Sequence, residues 1–331
     1  MKASRAIGWI LLIGAAALLP ILFKGAYVHH VLVMCLIFGF SALGLNLIFG
    51  FAGQAAFGLP AFFALGGYIS ALLSIRLGLP FWVALPSTMV IAAMFGFLIG
   101  YPCLHLRGIY FGITTMAFAQ ILYYIASNWI SLTRGPMGLV GVPVPRIHLG
   151  SFDYEFETGF KYYYLVLAAI VVTVWLFSRL MKTPLGRAFV AIRENEDLAS
   201  SIGIHPFWIK MIAFMLACTI TAIGGSFYAH FSRFMSPNEF QWYYIGLTFI
   251  MVITGGMGTV MGPVIGAVIF TVLPEVFRAI EQYRNILTGT LLILVVIFFP
   301  EGIMGLVNRR LERKKAVSSQ PPGRGGEVDP V

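Results

Sequence analysis

Charge is scarce in this sequence. Only 11% of its 331 residues are Asp, Glu, Lys or Arg, against about a quarter in a soluble domain. No Gly-Lys dipeptide occurs, which excludes a phosphate-cradling G-x-x-x-x-G-K-[ST] loop and that route to ATP. Asp and Glu are missing from the centres of the apolar segments, so a mid-membrane carboxylate coupled to protons or sodium has no visible seat. H-E-x-x-H, a Ser-His-Asp order and paired carboxylates within a helix core are absent too. No enzyme machinery, metal site or cofactor site is therefore expected. Cysteine is rare: Cys35, Cys103 and Cys218 lie far apart, in or beside apolar segments. They read as small buried hydrophobes without metal-ligand spacing. His29, His30, His105 and His230 fall near segment ends and read as interfacial.

What the chain has is apolar length. Hydrophobic residues make up 59% and the mean hydropathy is +0.88. Apolar runs of about 18 residues read as membrane-spanning helices. Ten segments stand out, near 6–23, 31–50, 57–75, 81–101, 109–130, 162–179, 209–230, 241–255, 262–280 and 286–300. The predicted fold class is all-α, a polytopic transmembrane bundle of eight to ten helices. It divides into a first helix within 1–30, a transmembrane domain over 31–307, and a basic then disordered tail over 308–331. The N-terminal run continues through Phe23, past Ala15-Ala16-Ala17, and so reads as an uncleaved first helix.

The net charge of +9 is assigned to loops that fix topology rather than to nucleic acid. With ten helices and both termini in the cytoplasm, fourteen Lys and Arg fall inside, among them Arg107, Arg187, Arg193 and Lys210. Eight fall outside: Lys24, Arg76, Arg134, Arg146, Lys161, Arg233, Arg278 and Arg284. The basic run Asn308 to Lys315 reads as an anchor at the lipid headgroups. Glu275, Arg278 and Glu281 have the spacing to pair along one helix face. The long outer loop 131–161, where Asp153, Glu155 and Glu157 alternate, is either a solvated connector or a functional loop.

Two glycine-rich breaks interrupt the apolar pattern, "GFAGQAAFG" at 50–58 and "GGMGTVMGP" at 255–263. Irregular backbone at membrane depth is tolerated only against protein or water. The breaks are thus either short connections or the edge of a permeation path. Neutral polar residues near them or on neighbouring segments are candidates to line that path: Asn46, Gln54, Thr114, Gln120 and Thr254. Each has an alternative as an interhelical hydrogen bond. The Gly-x3-Gly pairs starting at Gly96, Gly108, Gly258 and Gly262 suggest close helix packing.

One block is foreign to all this: "TPLGRAFVAIRENEDLASSIGIHPFWIK", Thr183 to Lys210. Pro184 suits a first helical turn, Gly203 a helix end, and Pro206 bars simple continuation. Leu198 and Ile202, at i and i+4, present an apolar pair with charges around it, the pattern of a helix laid into a groove.

Asp197-Leu198-Ala199, three residues, then Gly203 resembles the cytoplasmic coupling loop of ATP-binding-cassette importer permeases, E-A-A-x3-G. Asp stands for Glu and Leu for Ala. "GLNLIFGFAGQAAFG", "RGIYFGITTMAFAQ", "TPLGRAFVAIRENEDLASSIGI" and "ITGGMGTVMGPVIGA", in that order, resemble the branched-chain amino acid permease family, the larger of its two permease subunits most of all. The resemblance covers about residues 30 to 307. It implies an importer permease fold in a bacterial inner membrane, carrying branched-chain amino acids. Urea, short amides and other small substrates remain open, as does an ion-coupled transporter. It also implies a second similar permease, two cytosolic ATPase subunits, a periplasmic substrate-binding protein and a surrounding lipid bilayer. On it Glu196, Asp197, Leu198, Ala199, Ile202, Gly203 and Ile204 dock into an ATPase cleft and loop 131–161 receives the binding protein, while Arg187 and Arg193 read, by their charge alone, as topology residues.

Overall fold

The computed structural model describes residues 14, 16–23, 25–149, 152–156, 159–276, 289, 302, 304 and 305. Residues 16–22 are helical, within the first expected segment. The main helices that follow are α1 (Ala26–Leu45), α2 (Ala61–Arg76), α3 (Phe81–Cys103), α4 (Ile109–Asn128), α5 (Gly159–Leu180), α6 (Pro184–Glu194), α7 (Glu196–Ser201), α8 (Pro206–Ser232), α9 (Trp242–Gly255) and α10 (Gly262–Val276). Among the described residues five helices are long and apolar enough to cross a membrane: α1 with its extension to Phe51, α3, α4, α5 and α8. Three more, α2, α9 and α10, are shorter and equally apolar. All of the expected tenth segment but residue 289, the tail from 308, and Arg278 and Glu281 lie outside the described residues.

The helices form because their backbone groups must be satisfied within each segment once water is gone. They pack because small residues bring backbones together. Helix α8 is the hub, set against α1, α2 and α3. A Cβ on its Gly225 would run into the Phe63 carbonyl of α2. Gly96 and Gly100 of α3 face Cys218 and Phe214 of α8 in the same way, and Gly266 of α10 lies over the Met251 carbonyl of α9. Gly108 has open space around it and serves instead as the positive-φ residue before α4. Outward faces stay apolar, with Val90, Met94 and Leu98 of α3 exposed, as a lipid solvent allows.

The eight-helix path alternates between two ends. At one end gather Arg107, Arg193 and Lys210, beside α6 and α7. At the other, Arg76 reaches the Leu132 carbonyl (3.3 Å), the Arg146 carbonyl accepts from Trp82, and Lys161 lies over Tyr154. The two sets of cations assigned to opposite sides from the sequence therefore sit at opposite ends, as far as they are described.

That second end carries short strands. Leu139–Val140 (β1) pairs antiparallel with Phe234–Met235 (β4), and Arg146–Leu149 (β2) pairs antiparallel with Phe152–Glu155 (β3). Arg146 and Glu155 are cross-strand partners joined by a 3.0 Å ion pair. His230 is not interfacial as expected. It is fully buried at the end of α8, with Nε2 2.9 Å from Ser70 Oγ and Nδ1 2.6 Å from the Pro143 carbonyl. It ties α2, α8 and the segment at Pro143 together. All three cysteines are buried and unpaired.

A candidate coupling element joined to two helix breaks

Thr183 begins the element. Its Oγ1 accepts from the Gly186 amide (3.4 Å), and Pro184 fills the first turn of α6, where a missing N–H costs nothing. The helix does not run through the block. Asn195 turns extended, and its side chain accepts the Leu198 amide at 2.9 Å, so it caps a second helix, α7. Such a cap contributes about 1 kcal/mol. Glu196 and Asp197 then lie in the first turn, the favourable end of the helix dipole. Gly203 closes it at φ +87°, a backbone that side chains resist. Its amide bonds the Ser200 carbonyl (3.1 Å) and the Ile204 amide the Ala199 carbonyl (3.2 Å), the paired bonds of a Schellman stop.

These two stops fix which side chains face outward. Ala199 is buried, while Leu198 and Ile202 are 64% and 70% exposed. Asp197 is exposed, its 4.0 Å pair with Arg107 held between two solvated side chains, and such pairs contribute little. Glu196 turns inward. Its Oε2 accepts from Lys210 Nζ at 2.6 Å, with the lysine side chain only 4% exposed and the glutamate 28%. Lys210, counted from sequence as one more topology charge, thus pins α7 to the start of α8.

Arg193 also has a partner that sequence reasoning missed. Its Nη1 donates to the Gly50 carbonyl at 2.8 Å, a contact 143 residues away in sequence. Gly50 belongs to a π-helical stretch, Asn46–Phe51, that ends α1. A Cβ on Gly53 would meet the Arg193 side chain at 2.7 Å, so glycine there makes the approach possible. Asn46, buried inside the same stretch, reaches the second break. Its Nδ2 donates to the Thr259 carbonyl (2.8 Å) and its Oδ1 accepts the Gly258 amide (2.9 Å). One amide side chain satisfies both a donor and an acceptor that would otherwise be orphaned. A hydrogen-bonded line therefore runs from α6 through Arg193, Gly50 and Asn46 to the residues that precede α10.

The other path candidates are not gathered with Asn46. Gln54 is half-buried just past the π-helical stretch, its amide on the Ile48 carbonyl (2.9 Å). Thr114 and Gln120 are half-buried on α4, and Thr114 Oγ1 donates to its own helix at Tyr110 (2.8 Å). Its neighbour Thr115 reaches beyond its helix instead, accepting from the amide of Gly58 in the turn before α2 at 3.2 Å. Thr254 is buried near the end of α9. Among the described residues no group of His, Cys, Asp and Glu has the geometry to hold a metal.

The membrane-crossing helices, the two breaks clasped to each other and the capped helix with its exposed apolar pair define a multi-pass membrane protein. The chain belongs to the family described as "Branched-chain amino acid transport system / permease component", which matches residues 27–296. It is 32% identical over 304 residues to the high-affinity branched-chain amino acid transport system permease protein LivM of Salmonella typhimurium, covering 85% of this chain and 71% of that one. It is 25% identical over 313 residues to the probable LivM of Methanocaldococcus jannaschii, covering 80% and 89%. A more distant likeness is the autoinducer 2 import system permease protein LsrC of Salmonella paratyphi B, 26% identical over 195 residues, 56% of this chain and 54% of that one. No solved structure matches the chain.

Proposed function

We propose that this chain is a membrane-spanning subunit of an inner-membrane importer for branched-chain or related amino acids, driven by ATPase subunits that dock on α7. The observation that carries the docking is the pair Leu198 and Ile202, exposed on a helix stopped at both ends and tied to the core through Lys210 and Arg193. An apolar i, i+4 pair ringed by charge suits a cleft on a partner. The names of the LivM relatives support the substrate, and the LsrC likeness keeps a different small solute as the second reading.

On this proposal α6 and α7 lie at the cytoplasmic end, with both termini on that side, two ATPases below and a second, similar permease alongside. The strands near 139–155 lie at the outer end, where a periplasmic binding protein would deliver substrate. ATP-driven closure pushes on Glu196 to Ile204. Arg193 passes the displacement to Gly50, and Asn46 passes it to the segment before α10. Asn46 then acts at the edge of the path by holding the breaks together, while Gln54, Thr114, Gln120 and Thr254 face or border the path formed with the second permease.

Combining Leu198→Asp with Gly203→Trp tests the docking. In the reconstituted complex this double variant abolishes substrate-stimulated ATP hydrolysis while the subunit still inserts. Unchanged stimulation overturns the docking. Uptake by this chain alone, driven by an ion gradient, overturns the importer reading.

A further inference from the structure

At the end opposite the coupling element, α1, α9 and α10 enclose a cavity of about 410 Å³, within the usual range of small-molecule sites. Its floor is apolar, formed by Phe38, Leu247 and Phe270. Its rim is not. His30, Tyr243 and Glu275 line it together. Ionisable groups on membrane helices are costly and are retained where they act on something. One further feature places an unmatched polar group on the α10 wall. Pro274 lies inside α10 and has no N–H to give the Phe270 carbonyl one turn earlier.

Resting on the amino-acid importer reading above, we propose that this cavity is an outer subsite for an aliphatic α-amino acid. The ammonium meets the Glu275 carboxylate, which has lone pairs for more than one donor, and the Phe270 carbonyl. The substrate carboxylate meets the donors of His30 and Tyr243. The hydrocarbon lies on Phe38 and Leu247. Urea lacks both charges and the hydrocarbon, so it gains little there. The walls also connect the subsite to the driving end. Helix α1 ends in the π-helical stretch held by Arg193, and α10 starts just beyond the residues held by Asn46. A displacement of the clasp moves two of the three cavity walls.

The test uses the complete transporter in vesicles of phosphatidylcholine and phosphatidylglycerol, which keep primary-amine lipids out. Met34 lines the cavity, and the three native cysteines are buried, so Met34→Cys gives a reporter for a methanethiosulfonate reagent. L-leucine slows its labelling, whereas urea and 4-methylpentanoate, which is leucine without its ammonium, do not. Adding Glu275→Gln raises the leucine concentration for half-protection about tenfold or more, as loss of one charge-assisted hydrogen bond requires. The 4-methylpentanoate comparison needs no second substitution, so it tests the ammonium claim even if Glu275→Gln fails to fold. Leucine uptake without protection, or equal protection by 4-methylpentanoate, overturns the subsite and leaves the importer reading standing. Protection without leucine uptake supports the subsite and overturns the substrate assigned to the importer. Absence of both overturns both.

Discussion

The pair Lys210–Glu196 makes an asymmetric prediction. Breaking a buried ion pair by removing one partner costs about 3–5 kcal/mol, because the other charge is left without water or counterion. Here the two ends differ in access to solvent, since the Lys210 side chain is 4% exposed and that of Glu196 is 28%. Glu196→Gln strands an ammonium that water hardly reaches. Discounting for the partly exposed partner, it costs about 2–3 kcal/mol. Lys210→Met removes the buried charge and keeps the hydrocarbon stem, while Glu196 swings into water, at a cost of about 1 kcal/mol or less. Lys210→Met with Glu196→Gln then recovers most of the loss. The readout is hydrogen exchange at the amides of Leu198, Ala199 and Ile204, all bonded within or beside α7. Glu196→Gln speeds their exchange by roughly 30- to 150-fold if they open locally, and the double variant returns most of that. A Lys210→Met effect as large as Glu196→Gln, or a double variant as bad as the single, refutes the reasoning.

The other expectations concern the break, the packing and the outer end. Asn46→Ala orphans the Gly258 amide and the Thr259 carbonyl and costs about 2–4 kcal/mol, measured as lost thermal stability, while Asn46→Gln rescues little because the longer side chain misplaces both bonds. Gly225→Ala drives a methyl into the Phe63 carbonyl and lowers the yield of folded protein. Gly246→Ala, with nothing within 4 Å of its added carbon, is neutral or improves stability by up to about 1 kcal/mol. Burial raises the carboxyl of Glu239, against the opposing pull of hydroxyls from Tyr244 and Tyr228. The raised group favours the fold fully below the ordinary carboxylate range and loses that contribution as pH climbs through its raised value. Thermal unfolding over about pH 4 to 8 therefore shows a decline that Glu239→Gln removes.

Which of these features the sequence carried depends on how local their causes are. The spans were legible because a lipid solvent demands a long apolar run, and such a run is visible by itself. Pro184 and Gly203 were legible as helix boundaries because their backbone chemistry is their own. Asn195 was not, because its capping role depends on an extended backbone that the helix-forming residues around it disguise. The β2–β3 pair leaves a trace in the alternation of Asp153 and Glu155, too short a run to define a strand by itself. The contacts of Arg193 with Gly50 and of Asn46 with Gly258 join residues 143 and 212 apart. No local pattern encodes such pairs, so Arg193 looked like a topology charge and Asn46 like a solitary polar residue.

The π-helical stretch at Asn46–Phe51 sets the angular phase of α1. It carries one more residue per turn than an α-helix would, and removing one residue there restores the tighter winding. Each residue accounts for about 100° of rotation and 1.5 Å of rise. Wound as an α-helix with the same number of residues, the stretch would carry Gly50 about a quarter turn away from Arg193 while the Phe38 face stayed against α9 and α10. The wide turn works as an angular offset: it lets the first turns of α1 face α9 and α10 while Gly50, at its end, still meets Arg193.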